Sequence, residues 1–117
     1  MSTVQAAEHK TRVASLHPFL YPKSIAVIGA TDAAGKVGHI VMRNLLAASF
    51  SGEVYPVNSA RNRIMDRKAY PNVSSLPETP DLAVIVTPAP TVPAIIEECA
   101  SKQIPAALII SAGFRET

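Results

Sequence analysis

Three glycines and a lysine carry the clearest chemistry in this chain. Gly29 ends the stretch Ser24-Ile25-Ala26-Val27-Ile28. Gly35 and Gly38 bracket the start of an amphipathic segment, and Lys36 lies between them. A glycine after an apolar run lets the backbone turn sharply and lets it approach a ligand closely. The first turn of a helix offers free N–H groups and the positive end of its dipole, which together favour an anion. Lys36 adds a mobile positive charge at the same place. The chemistry is that of a phosphate-bearing nucleotide held at a strand-to-helix turn. The spacing departs from Gly-x-Gly-x-x-Gly, because the loop is longer and the middle glycine is displaced. The competing reading is a tight turn in which Gly38 serves only helix–strand packing.

The elements that must position this loop follow from periodicity. Ile25 to Ile28 is a continuous apolar run, as in a strand covered on both faces. Lys36 to Ser49 reads as a helix with Val37, Ile40, Val41 and Leu45 as its stripe. Glu53 to Asn58 reads as a second strand. Pro56 places it near an edge, or with the missing N–H turned away from its neighbour. Ala69 to Pro80 reads as a loop with a short strand or helical turn around Ala69 to Leu76. Leu82 to Val86 is the next buried strand, stopped by Pro88-Ala89-Pro90. Thr91 to Lys102 is a second helix. Its buried stripe is Val92, Ile95, Ile96 and Cys99, and Glu98 and Lys102 are expected to pair on its outside. Pro105 marks a turn into a last strand, Ala106 to Ile110. The first twenty residues read as a flexible leader with a short helical turn over Val13 to Leu20, and 21–117 as one domain.

Composition limits the function classes. With 117 residues there is room for one domain, and 48% apolar residues suffice for one core. A net charge of +2 argues for neither nucleic acid nor a membrane surface. The single cysteine excludes an internal disulfide and fits a reducing cytosol. No apolar run reaches the ~18 residues that span a bilayer. Cys99, on a buried stripe, reads as a small core residue rather than a nucleophile.

Strands alternating with helical segments predict an α/β fold, with a mainly parallel sheet and its ligand beyond the carboxyl ends of the strands. Gly29 to Gly38, Asn58 to Arg63, Thr87 to Val92 and Ser111 to Phe114 should therefore meet at one crevice. A plain NAD site puts a carboxylate at the end of the second strand. Asn58 stands there instead, followed by Ser59 and Arg61. That disfavours NAD and favours a ligand with a phosphate on its ribose, since Arg offers a bidentate fork to phosphate oxygens. NADP and coenzyme A both fit.

The stretches Leu20-Tyr-Pro-Lys-Ser-Ile-Ala-Val-Ile-Gly-Ala-Thr31, Gly35-Lys-Val-Gly38, Val54-Tyr-Pro-Val-Asn58, Asp81-Leu-Ala-Val-Ile-Val-Thr-Pro88 and Ile110-Ser-Ala-Gly-Phe114 resemble the CoA-binding domain of the NDP-forming acyl-CoA synthetases. That family includes ADP-forming acetate–CoA ligase and the succinyl-CoA synthetase α subunit, and the same domain opens large bacterial GNAT-type protein acetyltransferases. The resemblance implies a three-layer Rossmann-like domain that binds CoA or acyl-CoA. Thr31, Asp32, Gly35 and Lys36 would contact the CoA phosphates, with Gly29, Val37 and Gly38 as further residues of the cofactor site. Asn58 and Arg61 would lie by the adenosine ribose and its phosphate. Thr87, Pro88 and Ala89 would line the crevice, and Ser111, Ala112 and Gly113 would approach the pantetheine arm. The ligase histidine that is transiently phosphorylated has no match in His9, His17 or His39, so no catalysis is expected of this segment alone. The family normally continues past Phe114 with a further helix and strand. The chain is therefore expected to be truncated at its C-terminal end and to serve a parent bearing ATP-grasp or GNAT domains, or to form a homo-oligomer through exposed apolar sheet surface. The rival functions are an NADP-dependent oxidoreductase domain and a ligand-free subunit-interaction domain.

Overall fold

The first strand, β1 (Ser24–Ile28), is buried at every position. It lies inside a sheet with layers on both sides, so its sequence is a run rather than an alternation. The structure, a computed structural model, describes residues 17–48 and 50–110. The leader proposed for the first residues falls outside that range, apart from a helical turn at 17–20, closed by the N–H of Tyr21 on the carbonyl of His17 at 2.8 Å.

After β1 come helix α1 (Val37–Ala47), strand β2 (Glu53–Val57) and a small hairpin of β3 (Arg63–Ile64) and β4 (Arg67–Lys68). A 3₁₀ turn at Val73–Ser75 follows. Strand β5 (Leu82–Ile85), a second 3₁₀ turn (Ala89–Thr91), helix α2 (Val92–Ser101) and strand β6 (Ala106–Ile109) complete the described chain. The main sheet has the order β2-β1-β5-β6 and every neighbouring pair is parallel. The chain leaves β1 toward β2 and then crosses to the other side for β5. The two connections diverge at the carboxyl ends of β1 and β5, where an open α/β sheet forms its ligand crevice.

Alternate residues of the inner strands supply two cores. Ile25, Val27, Leu82 and Val84 pack with Met42 of α1, and Ile64 and Ala69 of the hairpin region join them. Ala26, Ile28, Ala83 and Ile85 pack on the opposite face with Cys99 of α2 and with Val73 and Leu76. This gives the three layers that the strand–helix alternation predicts.

Pro56 behaves as its chemistry requires. β2 is a sheet edge, Val57 gives its carbonyl to Gly29 on the β1 side, and Pro56 turns its carbonyl outward to the N–H of Tyr70 at 2.9 Å. The missing N–H therefore faces no ladder partner.

Two packing details differ from the periodicity. The stripe of α1 centres on Gly38 and Met42, with Val41, Leu45 and Leu46 beside it, while Ile40 is 38% exposed. The outside Glu98–Lys102 pair does not form. Lys102 gives its ammonium to the carbonyl of Leu76 at 2.9 Å, and Glu98 accepts from Ser74. Both side chains tie α2 to the 3₁₀ turn, whose carbonyls and N–H groups need partners.

Candidate functional site

The crevice is built where the end of β1 meets the start of α1. Gly29 has φ +101°, a region that side chains avoid, and a Cβ there would stand 2.8 Å from Cγ2 of Val86. Gly38 is held still more tightly: a Cβ would come within 2.0 Å of the carbonyl oxygen of Gly29. The helix start is thus pressed onto the strand end, so Gly38 does serve packing. That packing also sets the N-terminus of α1 beside Gly29, which lines the crevice. Lys36 is the N-cap in an extended conformation and makes no side-chain cap. Its carbonyl takes the N–H groups of His39 and Ile40, both at 3.1 Å. Among the described residues the N–H groups of Val37 and Gly38 are left as the free donors of the helix end. No acidic residue stands in the first turn, so the local field favours an anion.

The loop between Gly29 and Lys36 is held by its own polar groups. Thr31 Oγ1 accepts from the N–H of Ala33 at 3.1 Å. Asp32 Oδ1 accepts from the N–H of Met65, in the β3–β4 turn, at 2.8 Å, and its Oδ2 lies 4.0 Å from Arg61 Nη1. An ionised carboxylate has no proton to give a phosphate. A contact from Asp32 to an anion would come through its main chain, while its side chain fastens the hairpin to the loop.

Asn58 is the junction of the site. Its amide nitrogen donates to the carbonyl of Ala30 at 2.8 Å. Its carbonyl oxygen accepts from the N–H groups of Ala60 and Arg61 at 2.7 and 2.9 Å. Where a dinucleotide site would carry a free acceptor for ribose hydroxyls, both acceptor positions of Asn58 are filled by its own chain.

Two adjoining hollows form the crevice. One, of about 260 Å³, lies between Gly29, Asn58, Ser59, Pro71–Val73, Thr87, Ile95 and Glu98, with Ile28 and Val57 beneath. The other, of about 470 Å³, runs over Arg61, Asn62 and Arg63 and shares Asn58, Ser59 and Pro71 with the first. Of the residues expected at the site, Gly29, Asn58, Thr87 and Arg61 line these hollows. Thr31, Asp32, Gly35, Lys36, Val37 and Gly38 form the loop and helix start beside them. Pro88 and Ala89 are exposed on the turn after β5. Ser111, Ala112 and Gly113 lie outside the described residues. The hydroxyls of Thr87 and Thr91 sit 2.8 Å apart and fix that turn.

The periodicity missed Pro71, Asn72, Val73, Ile95 and Glu98 as lining. The available signal was Pro56: an edge strand without a ladder N–H invites the segment around Tyr70 to lie alongside, which carries Pro71–Val73 to the crevice mouth. Cys99 is 4% exposed, and burial, with the charge of Glu98 second, pushes its thiol up to about 11. It is a core residue and not a nucleophile. Among the described residues no group of histidine, cysteine and carboxylate side chains could hold a metal ion, and no helix is long and apolar enough to cross a membrane.

A parallel sheet covered on both faces, with a glycine turn, a free helix N-terminus and an arginine-lined hollow at its switch point, defines a Rossmann-like nucleotide-binding domain. Comparison with known proteins narrows this class. The CoA binding domain family matches residues 23–117, and the chain belongs to that family. It is 42% identical over 104 residues to acetate–CoA ligase [ADP-forming] II of Archaeoglobus fulgidus, which covers 89% of this chain and 16% of the ligase. It is 46% identical over 99 residues to 4-hydroxybutyrate–CoA ligase [ADP-forming] of Nitrosopumilus maritimus, over 85% of this chain and 14% of that protein. The apo structure of the dinucleotide forming acetyl-coenzyme A synthetase 1 of Ca. Korarchaeum cryptofilum superposes with a TM-score of 0.80 at 39% identity, over 86% of this chain and 22% of that one. The chain thus spans less than a quarter of each of these relatives. The family match favours CoA over NADP and over a ligand-free interaction domain.

Proposed function

We propose that this chain binds coenzyme A or its acyl thioester in the crevice at the carboxyl ends of β1, β2 and β5, as the CoA-handling part of an ADP-forming acyl-CoA synthetase. The observation that carries this reading is one crevice, in a chain of the CoA-binding domain family, with two features beside it that suit an anion: the N-terminus of α1, pressed onto Gly29, and the guanidinium of Arg61. CoA has phosphates at two places that suit them. Its diphosphate would take the N–H groups of Val37 and Gly38 and the ammonium of Lys36. Its 3′-phosphate would take Arg61, whose 4.0 Å pairing with Asp32 at the surface is weak enough to yield. The turn after β5, with Thr87, Pro88 and Ala89, would close the other side, and Ser111 to Gly113 would meet the pantetheine arm.

The relatives named above are ligases and synthetases, which favours a ligase parent over an acetyltransferase one. In a ligase CoA is a substrate that leaves as a thioester, and the bond-making groups would lie on other segments of the parent. Calorimetric titration with CoA, 3′-dephospho-CoA and NADP⁺ tests the reading. CoA is expected to bind more tightly than dephospho-CoA, with NADP⁺ silent. Binding of NADP⁺ alone would overturn it, and equal binding of the two CoA forms would remove the role given to Arg61.

A further inference from the structure

The smaller hollow holds one charged group that the phosphate chemistry does not use. Glu98 lines it from the middle of α2, away from the helix end where a carboxylate would serve the dipole. Lys102, the cation one turn along, is turned away to the carbonyls of Leu76 and Ser74, at 2.9 and 3.4 Å. Only one carboxylate oxygen is engaged: Oε2 takes both the N–H and the hydroxyl of Ser74, at 3.3 and 3.0 Å. These two donors fix the orientation of the carboxylate, and Oε1 has no protein partner among the described residues. An anionic ligand whose phosphates entered this hollow would be repelled. A ligand group with an N–H donor would be held.

We infer that Glu98 reads the exocyclic amine of the adenine base. This rests on the CoA reading above. Covalent geometry gives the reason: the 3′-phosphate and the base belong to the same ribose. With the phosphate on Arg61 in the larger hollow, the base falls in the hollow that shares Asn58, Ser59 and Pro71 with it. That hollow has about 260 Å³ and walls from Ile28, Val57, Val73 and Ile95. These side chains suit the faces of a flat ring, and Oε1 of Glu98 is the acceptor for its edge. Asn58 cannot take that place, since its carbonyl oxygen is already filled.

The test compares CoA with an analogue in which hydrogen replaces the adenine amino group, titrated on the intact chain and on Glu98→Gln. A hydrogen bond to a charged acceptor predicts about tenfold weaker binding of the analogue to the unaltered chain. In Glu98→Gln the amide oxygen keeps Ser74 and the amide nitrogen replaces the free acceptor. Its CoA affinity is expected to fall about tenfold, with the preference between the two ligands gone and the melting temperature kept. Equal binding of CoA and the analogue by the unaltered chain would overturn the inference while leaving CoA binding intact. This arm needs no variant to fold. Absence of CoA binding would instead overturn the reading on which the inference rests. A Glu98→Gln chain that kept the full preference would also overturn it, leaving Glu98 as a tie for the Val73–Ser75 turn.

Discussion

The side chain of Asn58 donates to the carbonyl of Ala30 at 2.8 Å while its own oxygen takes the N–H of Arg61 at 2.9 Å. One amide thus joins the loop after β1 to the loop that carries the arginine. Asn58→Ala removes three hydrogen bonds and is expected to destabilise the fold by about 2–3 kcal/mol, read by urea unfolding. It should also shrink the ratio of CoA to dephospho-CoA affinity, because Arg61 loses its anchor. Full retention of both stability and ratio would show that the junction is idle.

Gly38 and Gly35 should respond differently to alanine. At Gly38 the new methyl meets the backbone of Gly29 at 2.0 Å, so helix and strand must part. The expected loss is about 1–3 kcal/mol, with CoA binding impaired because the helix start moves. At Gly35 the space is open but φ is +89°, and the loss is about 1–2 kcal/mol from backbone strain alone. Melting temperatures and titrations of the two variants separate the cases.

Lys36 is exposed and caps nothing with its side chain. Lys36→Ala is therefore expected to leave the melting temperature unchanged and to weaken CoA about tenfold through the lost charge-assisted contact. Added salt should narrow the difference between the two proteins. A variant that binds CoA as well as the parent chain would remove Lys36 from the site.

Cys99 sets a pH dependence. Its thiol stays neutral in the fold up to about 11, against 9.0 for an unperturbed thiol. Above the lower value the unfolded chain releases the proton and the folded chain keeps it, so the unfolded state binds fewer protons. The stabilisation is complete below pH 9.0 and is lost as pH rises toward about 11. Tyr55 acts in the same sense at higher pH, its phenol raised by burial and by its hydrogen bond to Glu78. Denaturant midpoints at pH 8 and pH 10 should fall in that order, less steeply in Cys99→Ala. Iodoacetamide should label Cys99 only on unfolding.

The outer edge of β6 carries no partner strand among the described residues, and Leu108 and Ile109 are 40% and 38% exposed. An edge strand of this kind pairs with other chains. Sedimentation equilibrium is expected to show concentration-dependent association, reduced in Leu108→Lys. A monomer at every concentration would refute this.

The sequence by itself determined the order of strands and helices, because β1 and β5 are continuous apolar runs and α2 has a clean stripe. It also marked the glycine-bearing turn between β1 and α1, through three glycines and a lysine, and, through Pro56, that β2 lies near an edge or turns that missing N–H from its neighbour. These are local properties, written in residue type and spacing. The β3–β4 hairpin was not legible: its turn residues, Met65 and Asp66, take φ of 50° and 66° without the Asn-Gly or Asp-Gly signature of such turns. Met42 is buried and Ile40 is 38% exposed, a choice of helix face made by packing against the sheet. The partners of Glu98 and Lys102 were decided by tertiary structure alone. Helical spacing set them side by side, but the nearer polar groups, on the Val73–Ser75 turn, come from a segment more than twenty residues away. Hydrogen bonds form to whatever the fold brings within reach, and that distance is not written in the chain.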